Sequence, residues 1–93
     1  MTAKRVDANQ KEIVKAFRDL GCSVLIISNI GKGAPDIVVG KNGKTYLFEI
    51  KDGNKLPSQQ KLTPHEEAFH ADWKGHVEII KSIDEVVNFM NFV

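Results

Sequence analysis

The chain has 93 residues and carries 13 Lys+Arg against 12 Asp+Glu, so at a net charge of +1 any nucleic-acid contact must rest on a local basic patch. At 42% hydrophobic and 27% charged it reads as one globular domain over residues 1–93, a size that buries roughly 60–65% of its unfolded surface. Its one cysteine, Cys22, excludes an internal disulfide framework and suits a reducing cytoplasm, and neither a long apolar run nor a signal-peptide pattern points to a membrane.

In chain order, Asp7 and Gln10 have the spacing of a capping box, and Ile13, Val14, Phe17 and Leu20 recur at helical spacing. With Gly21 as the stop, this predicts a first helix over 8–20. The run "SVLIIS" (23–28) is β-branched and apolar, which suits a strand covered on both faces. A glycine-rich loop (29–35) follows, then two strands joined at Asn42-Gly43, a strong hairpin signal. Residues 52–61 are polar and turn-rich. Thr63-Pro64-His65-Glu66 opens a second helix with a capping box and proline at the first helical position, and Gly75 ends it. "HVEII" (76–80) is a fourth strand, and Ser82 caps a last helix that reaches Phe89 or Asn91. The order is αβββαβα, an α/β domain.

Counting outward from the Asn42-Gly43 turn pairs Lys41 with Lys44 and Ile37 with Phe48, which sets Asp36 opposite Glu49. Directly opposed residues share a face, and alternation puts Lys51 there too, while Ile37, Val39, Tyr46, Phe48 and Ile50 form the core face. Two carboxylates so placed repel by roughly 3 kcal/mol at an effective dielectric near 20. Three arrangements offset this: neutralisation by Lys51, full solvation, or a cation held between the carboxylates. Hard divalent ions such as Mg²⁺ take such oxygens together with substrate phosphate.

These residues also resemble a family signature. Pro35-Asp36, an interval of thirteen, then Glu49-Ile50-Lys51 resembles the PD-(D/E)xK nuclease motif. With "GAPDIVV", "LFEIK", "KLTPHEEAFH" and "GHVEIIKSIDEVV" in order, the chain most resembles the minimal stand-alone form of the virus-type replication-repair nuclease (VRR-NUC) domain. The resemblance implies a restriction-endonuclease-like core with a mixed central sheet flanked by helices. It implies a Mg²⁺-dependent DNA endonuclease, with Mn²⁺ as a substitute. Asp36 and Glu49 would bind the metal with the Ile50 carbonyl, Lys51 would act on water and phosphate, and Glu12 would be the family's first-helix acid. It further implies a homodimer acting on branched or four-way-junction DNA, in the cytoplasm of a bacterium or phage-infected host. One position departs: the family commonly has glutamine shortly after the L-[ST]-P, where this chain has Glu66.

Other signals carry less. "GKT" (43–45) lacks the earlier glycine of a P-loop, since Val38 stands there, and His65 and His70 lie five apart, one too many for a helical zinc pair. Cys22 reads as a small core residue. Phe69 and Trp73, four apart, are expected to pack inward. Lys32, in the glycine loop before Asp36, and Lys55 and Lys61 after the motif are the candidate phosphate contacts. The apolar run around Phe89, Met90, Phe92 and Val93 should pack partly on the sheet and partly against a second copy. The rival to an endonuclease is a DNA-binding module of the same fold without the chemistry.

Overall fold

A computed structural model describes residues 7–93, so the expectation about a signal peptide falls outside the described residues. The elements are α1 (Gln10–Asp19), β1 (Ser23–Ile26), β2 (Ile37–Lys41), β3 (Lys44–Ile50), α2 (Pro64–Asp72), β4 (Val77–Ile80) and α3 (Ile83–Met90), in the expected αβββαβα order. A short 3₁₀ turn, Pro57–Gln59, lies inside the polar loop before α2.

The four strands form one mixed sheet in the order β1-β2-β3-β4. β2 pairs antiparallel with β1 and β3, and β4 joins β3 in parallel. The hairpin has the counted register, from Lys41↔Lys44 to Ile37↔Phe48. Asn42 (φ 52°) and Gly43 (φ 78°) both take the left-handed conformation that a two-residue hairpin turn demands.

The expected core face is buried: Ile37, Val39, Tyr46, Phe48 and Ile50 cluster with Ile13, Val14 and Phe17 of α1, Ile80 of β4 and Val86 of α3. Phe48 packs against Phe17 with ring centroids 5.1 Å apart and edge-to-face against Phe89 at 4.9 Å. Full burial of such side chains contributes about 1.5–3 kcal/mol each. Cys22 joins this cluster, with Sγ 3.5 Å from Met90 Sδ, as a small apolar side chain. Helix α2 is built differently. Its single buried residue is Glu66, so polar contacts at its first turn anchor it more than an apolar stripe does.

Four expectations are corrected. β1 is an edge strand and is not covered on both faces: Leu25 is 62% and Ile26 50% exposed. A continuous apolar run reads the same at a sheet's edge as at its centre. α1 has no side-chain cap, because Asn9 is the N-cap residue and its amide reaches elsewhere. Leu20 is exposed beyond the last turn of that helix. Phe69 and Trp73 stack on each other (5.2 Å, 16° between planes) but stay out of the core, and Trp73 is exposed.

Candidate active site

The hairpin ladder ends at Ile37↔Phe48, and the charged residues occupy the strand ends just beyond it. The Asp36 N–H donates to the Phe48 carbonyl (2.9 Å), and the Asp36 carbonyl accepts from the Ile27 N–H (2.8 Å). The Asp36 side chain turns across the end of β3, where Oδ2 accepts the Ile50 N–H at 2.7 Å. Its carboxylate thus bonds to a backbone donor instead of simply facing Glu49 across the sheet.

Solvation is not what reconciles these charges. Asp36 is 3%, Glu49 2% and Lys51 8% exposed. The charge of Lys51 acts on Glu49, but its ammonium is bonded to a third carboxylate, Glu66, so one lysine faces more than the two opposed acids. Lys51 Nζ donates to Glu66 Oε1 at 2.8 Å, with both side chains out of solvent. The same Oε1 accepts the Thr63 N–H (2.9 Å), while Thr63 Oγ1 accepts the Glu66 N–H (3.3 Å), so the expected capping box is present. One carboxylate therefore caps α2 and holds Lys51. Burial alone would push the Glu66 carboxyl up. The hydrogen bonds from Lys51 and the Thr63 N–H, the lysine charge and a side-chain contact with Glu49 outweigh it and hold the group below the usual range. Burial pulls Lys51 down, but the bond and charge of Glu66, with the charge of Glu49, raise it above the ordinary lysine value.

Backbone contacts brace this cluster from two sides. Asn9 Nδ2 donates to the Lys51 carbonyl (3.1 Å) and the Lys81 carbonyl (3.0 Å), tying the start of α1 to the ends of β3 and β4. Gly33 (φ +82°), in the loop that leads to Asp36, lies so close to the first turn of α2 that a Cβ there would overlap the His65 carbonyl and crowd the Glu66 nitrogen. Behind Asp36, the buried Ser28 Oγ donates to Gln10 Oε1 (3.0 Å) and lies 3.4 Å from the Asp36 carbonyl.

The sequence reading brings Asp36, Glu49, Ile50 and Lys51 to one place, and the structure agrees. Glu12 does not join them: it is exposed on α1 and lines a polar cleft with Asn9, Asp52, Asn54 and Gln60. The inward position of that turn belongs to Gln10, which is buried against Ser28. Lys32, Lys55 and Lys61 are all exposed. Lys32 sits in the loop braced against α2, Lys61 just precedes the helix cap, and Lys55 pairs with Asp7 at 3.6 Å. Asn9 and Ser28 were not singled out from the sequence, Gln10 was read only as part of a cap with Asp7, and no spacing rule marks any of the three as bracing this site. Glu66 was legible as a cap but not as the partner of Lys51.

The donor set suits a hard divalent cation, since Asp36 and Glu49 present buried carboxylate oxygens at one strand end beside the Ile50 peptide. Among the described residues no three His, Cys, Asp or Glu are grouped so as to hold a metal. Further ligands would therefore be carbonyl, water or phosphate oxygens, the usual complement of Mg²⁺.

A family model described as the archaeal Holliday junction resolvase (Hjc) matches residues 1–68, a span that contains Asp36, Glu49, Lys51 and Glu66. The chain belongs to the archaeal Holliday junction resolvase family. A solved structure described as a VRR_NUC domain is 27% identical to this Hjc-family chain, covering 88% of it and 89% of the other, with a TM-score of 0.63. No curated protein matches it. The resemblance to VRR-NUC and the α/β fold with a mixed, helix-flanked sheet both hold, and family and fold point to a nuclease. Among the described residues no helix is long and apolar enough to cross a membrane.

Proposed function

We propose that this chain is a Mg²⁺- or Mn²⁺-dependent endonuclease that resolves four-way DNA junctions as a homodimer in the cytoplasm. The observation that carries the reading is the burial of Asp36, Glu49 and Lys51 together where β2 and β3 end, with Lys51 held in a charged hydrogen bond. A cluster this costly to desolvate is expected where charge does chemical work. Asp36 and Glu49, with the Ile50 carbonyl, would hold the metal. Bound there, Mg²⁺ would polarise a phosphoryl oxygen and lower the pKa of a water. Lys51, cationic at neutral pH, would orient that water and stabilise negative charge that develops on the scissile phosphate. Lys32, in the loop before Asp36, and Lys55 and Lys61, in the loop before α2, would contact flanking phosphates.

The junction as substrate follows from what the matched family is described as acting on. Opposed strands of a junction need symmetric cuts, which two sites related by a two-fold axis supply. Exposed apolar side chains offer faces for a second copy: Phe92 is 90%, Ile30 65% and Leu25 62% exposed.

The deciding experiment is a calorimetric Mn²⁺ titration of wild type and Asp36→Ala, followed by four-way-junction cleavage with those same samples. Saturable binding and cleavage, both lost in the variant with its fold retained, are the expected result. Metal-independent cutting, or an active Asp36→Ala protein, would overturn the assignment. One observation favours the rival, a DNA-binding module without chemistry: Lys51 is bonded to a carboxylate where the family commonly has an amide. That reading predicts tight junction binding with no product in Mn²⁺.

A further inference from the structure

We propose that Glu66 is a positioning residue for Lys51, so that the first turn of α2 sets the direction of the lysine ammonium. The inference rests on the nuclease reading above, in which Lys51 works on the phosphate. A lysine side chain is a flexible stem whose ammonium is placed by whatever accepts its hydrogen bonds. Here the acceptor is fixed to an unusual degree. Glu66 Oε1 takes Lys51 Nζ at 2.8 Å and the Thr63 N–H at 2.9 Å, so the carboxylate is immobilised by the backbone of its own helix cap. The Thr63 hydroxyl returns a bond to the Glu66 N–H. The same turn is pressed against Gly33, three residues before Asp36, so it shares a rigid contact with the loop that delivers the other half of the site. Since Glu66 is the one buried residue of α2, that helix docks on the domain through this contact rather than through an apolar face. Lys51 is thereby aimed from a second element, and its position beside Glu49 does not depend on β3 alone.

A purely structural role for Glu66, as the third residue of the cap, makes different predictions, and three variants separate the two. Thr63→Ala removes the hydroxyl cap and keeps the Lys51–Glu66 bond. Glu66→Gln keeps an oxygen that can accept from both Lys51 and the Thr63 N–H. Glu66→Ala removes both. For Glu66→Ala, kcat on a four-way junction should fall about 100-fold with KM nearly unchanged, the scale expected when a reacting group is displaced. Glu66→Gln should recover to within a few-fold of wild type, and Thr63→Ala should lose stability but not kcat. In metal-free protein, the ¹⁵N-ammonium resonance of Lys51, assigned by its loss in Lys51→Ala, should be sharp in wild type and Glu66→Gln and broadened by exchange in Glu66→Ala. Equal kcat losses in Thr63→Ala and Glu66→Ala, or an unchanged Lys51 resonance in Glu66→Ala, would overturn the inference while leaving the nuclease reading intact. Should Glu66→Ala fail to fold, the Glu66→Gln resonance decides alone, a broadened signal counting against positioning. A Lys51→Ala protein that cuts as fast as wild type would overturn the nuclease role of Lys51 and the inference with it.

Discussion

Lys51 and Glu66 are removed from water together, and such a pair is stable only while both charges are present and bonded. Truncating one partner leaves a buried charge with incomplete compensation, so Glu66→Ala should cost about 3 kcal/mol in urea-unfolding experiments on metal-free protein. The pH dependence has a definite sign. The folded Glu66 pKa lies below its ordinary value of 4.5, so its contribution is in place above that pH and is lost as pH falls through the folded value. The folded Lys51 pKa lies above the ordinary 10.5, so its contribution is in place below 10.5 and is lost as pH rises through the folded value. The stability gap between wild type and Glu66→Gln should therefore be flat across neutral pH and shrink below pH 4.5. A gap that stays constant on acidification would mean that the ionised carboxylate is not what stabilises this corner.

Between elements, the Gly33 loop comes close to α2, and glycines of the same loop provide an internal comparison. Gly31 and Gly33 both have positive φ, but a Cβ at Gly31 meets nothing within 4 Å, whereas one at Gly33 overlaps the His65 carbonyl. Gly31→Ala should cost only the left-handed backbone penalty, about 1–2 kcal/mol. Gly33→Ala should cost clearly more by thermal unfolding, and equal losses would show that the loop can back away from α2. This contact also explains what could and could not be read from the sequence. The hairpin register and the Thr63–Glu66 box are fixed by residues a few positions apart, and both were legible. The Lys51–Glu66 bond depends on where α2 docks, and no local pattern encodes that. Burial of Gln10 in place of Glu12 depends on the rotation of α1 about its axis, set by Ile13, Val14 and Phe17 facing the core and by Ser28 across from it. The exposure of β1 and of Trp73 was hidden for a related reason: an apolar sequence records that a surface is sticky, not whether the rest of the same chain covers it.

For the whole molecule, a net charge of +1 gives no long-range attraction to a polyanion, so DNA affinity must come from a few lysines brought close to phosphates. That makes the salt dependence of binding a count of contacts. The logarithm of the affinity falls against the logarithm of salt concentration with a slope of about −0.9 for each phosphate neutralised on duplex arms. Lys61 is exposed two residues before the α2 cap and is the clearest single test. In a symmetric dimer each substitution is made twice, so Lys61→Ala should flatten the slope by about 1.8 instead of 0.9. Binding of an intact four-way junction would be measured in Ca²⁺ over a salt series, with wild type and variant compared at matched protein concentration. A change near 1.8 supports two chains engaged on one junction through equivalent lysines. A change near 0.9 means that one copy makes this contact, which would undo the symmetric arrangement while keeping the lysine at the DNA. An unchanged slope would remove Lys61 from the interface and shift the expected path of the DNA towards Lys32 and Lys55.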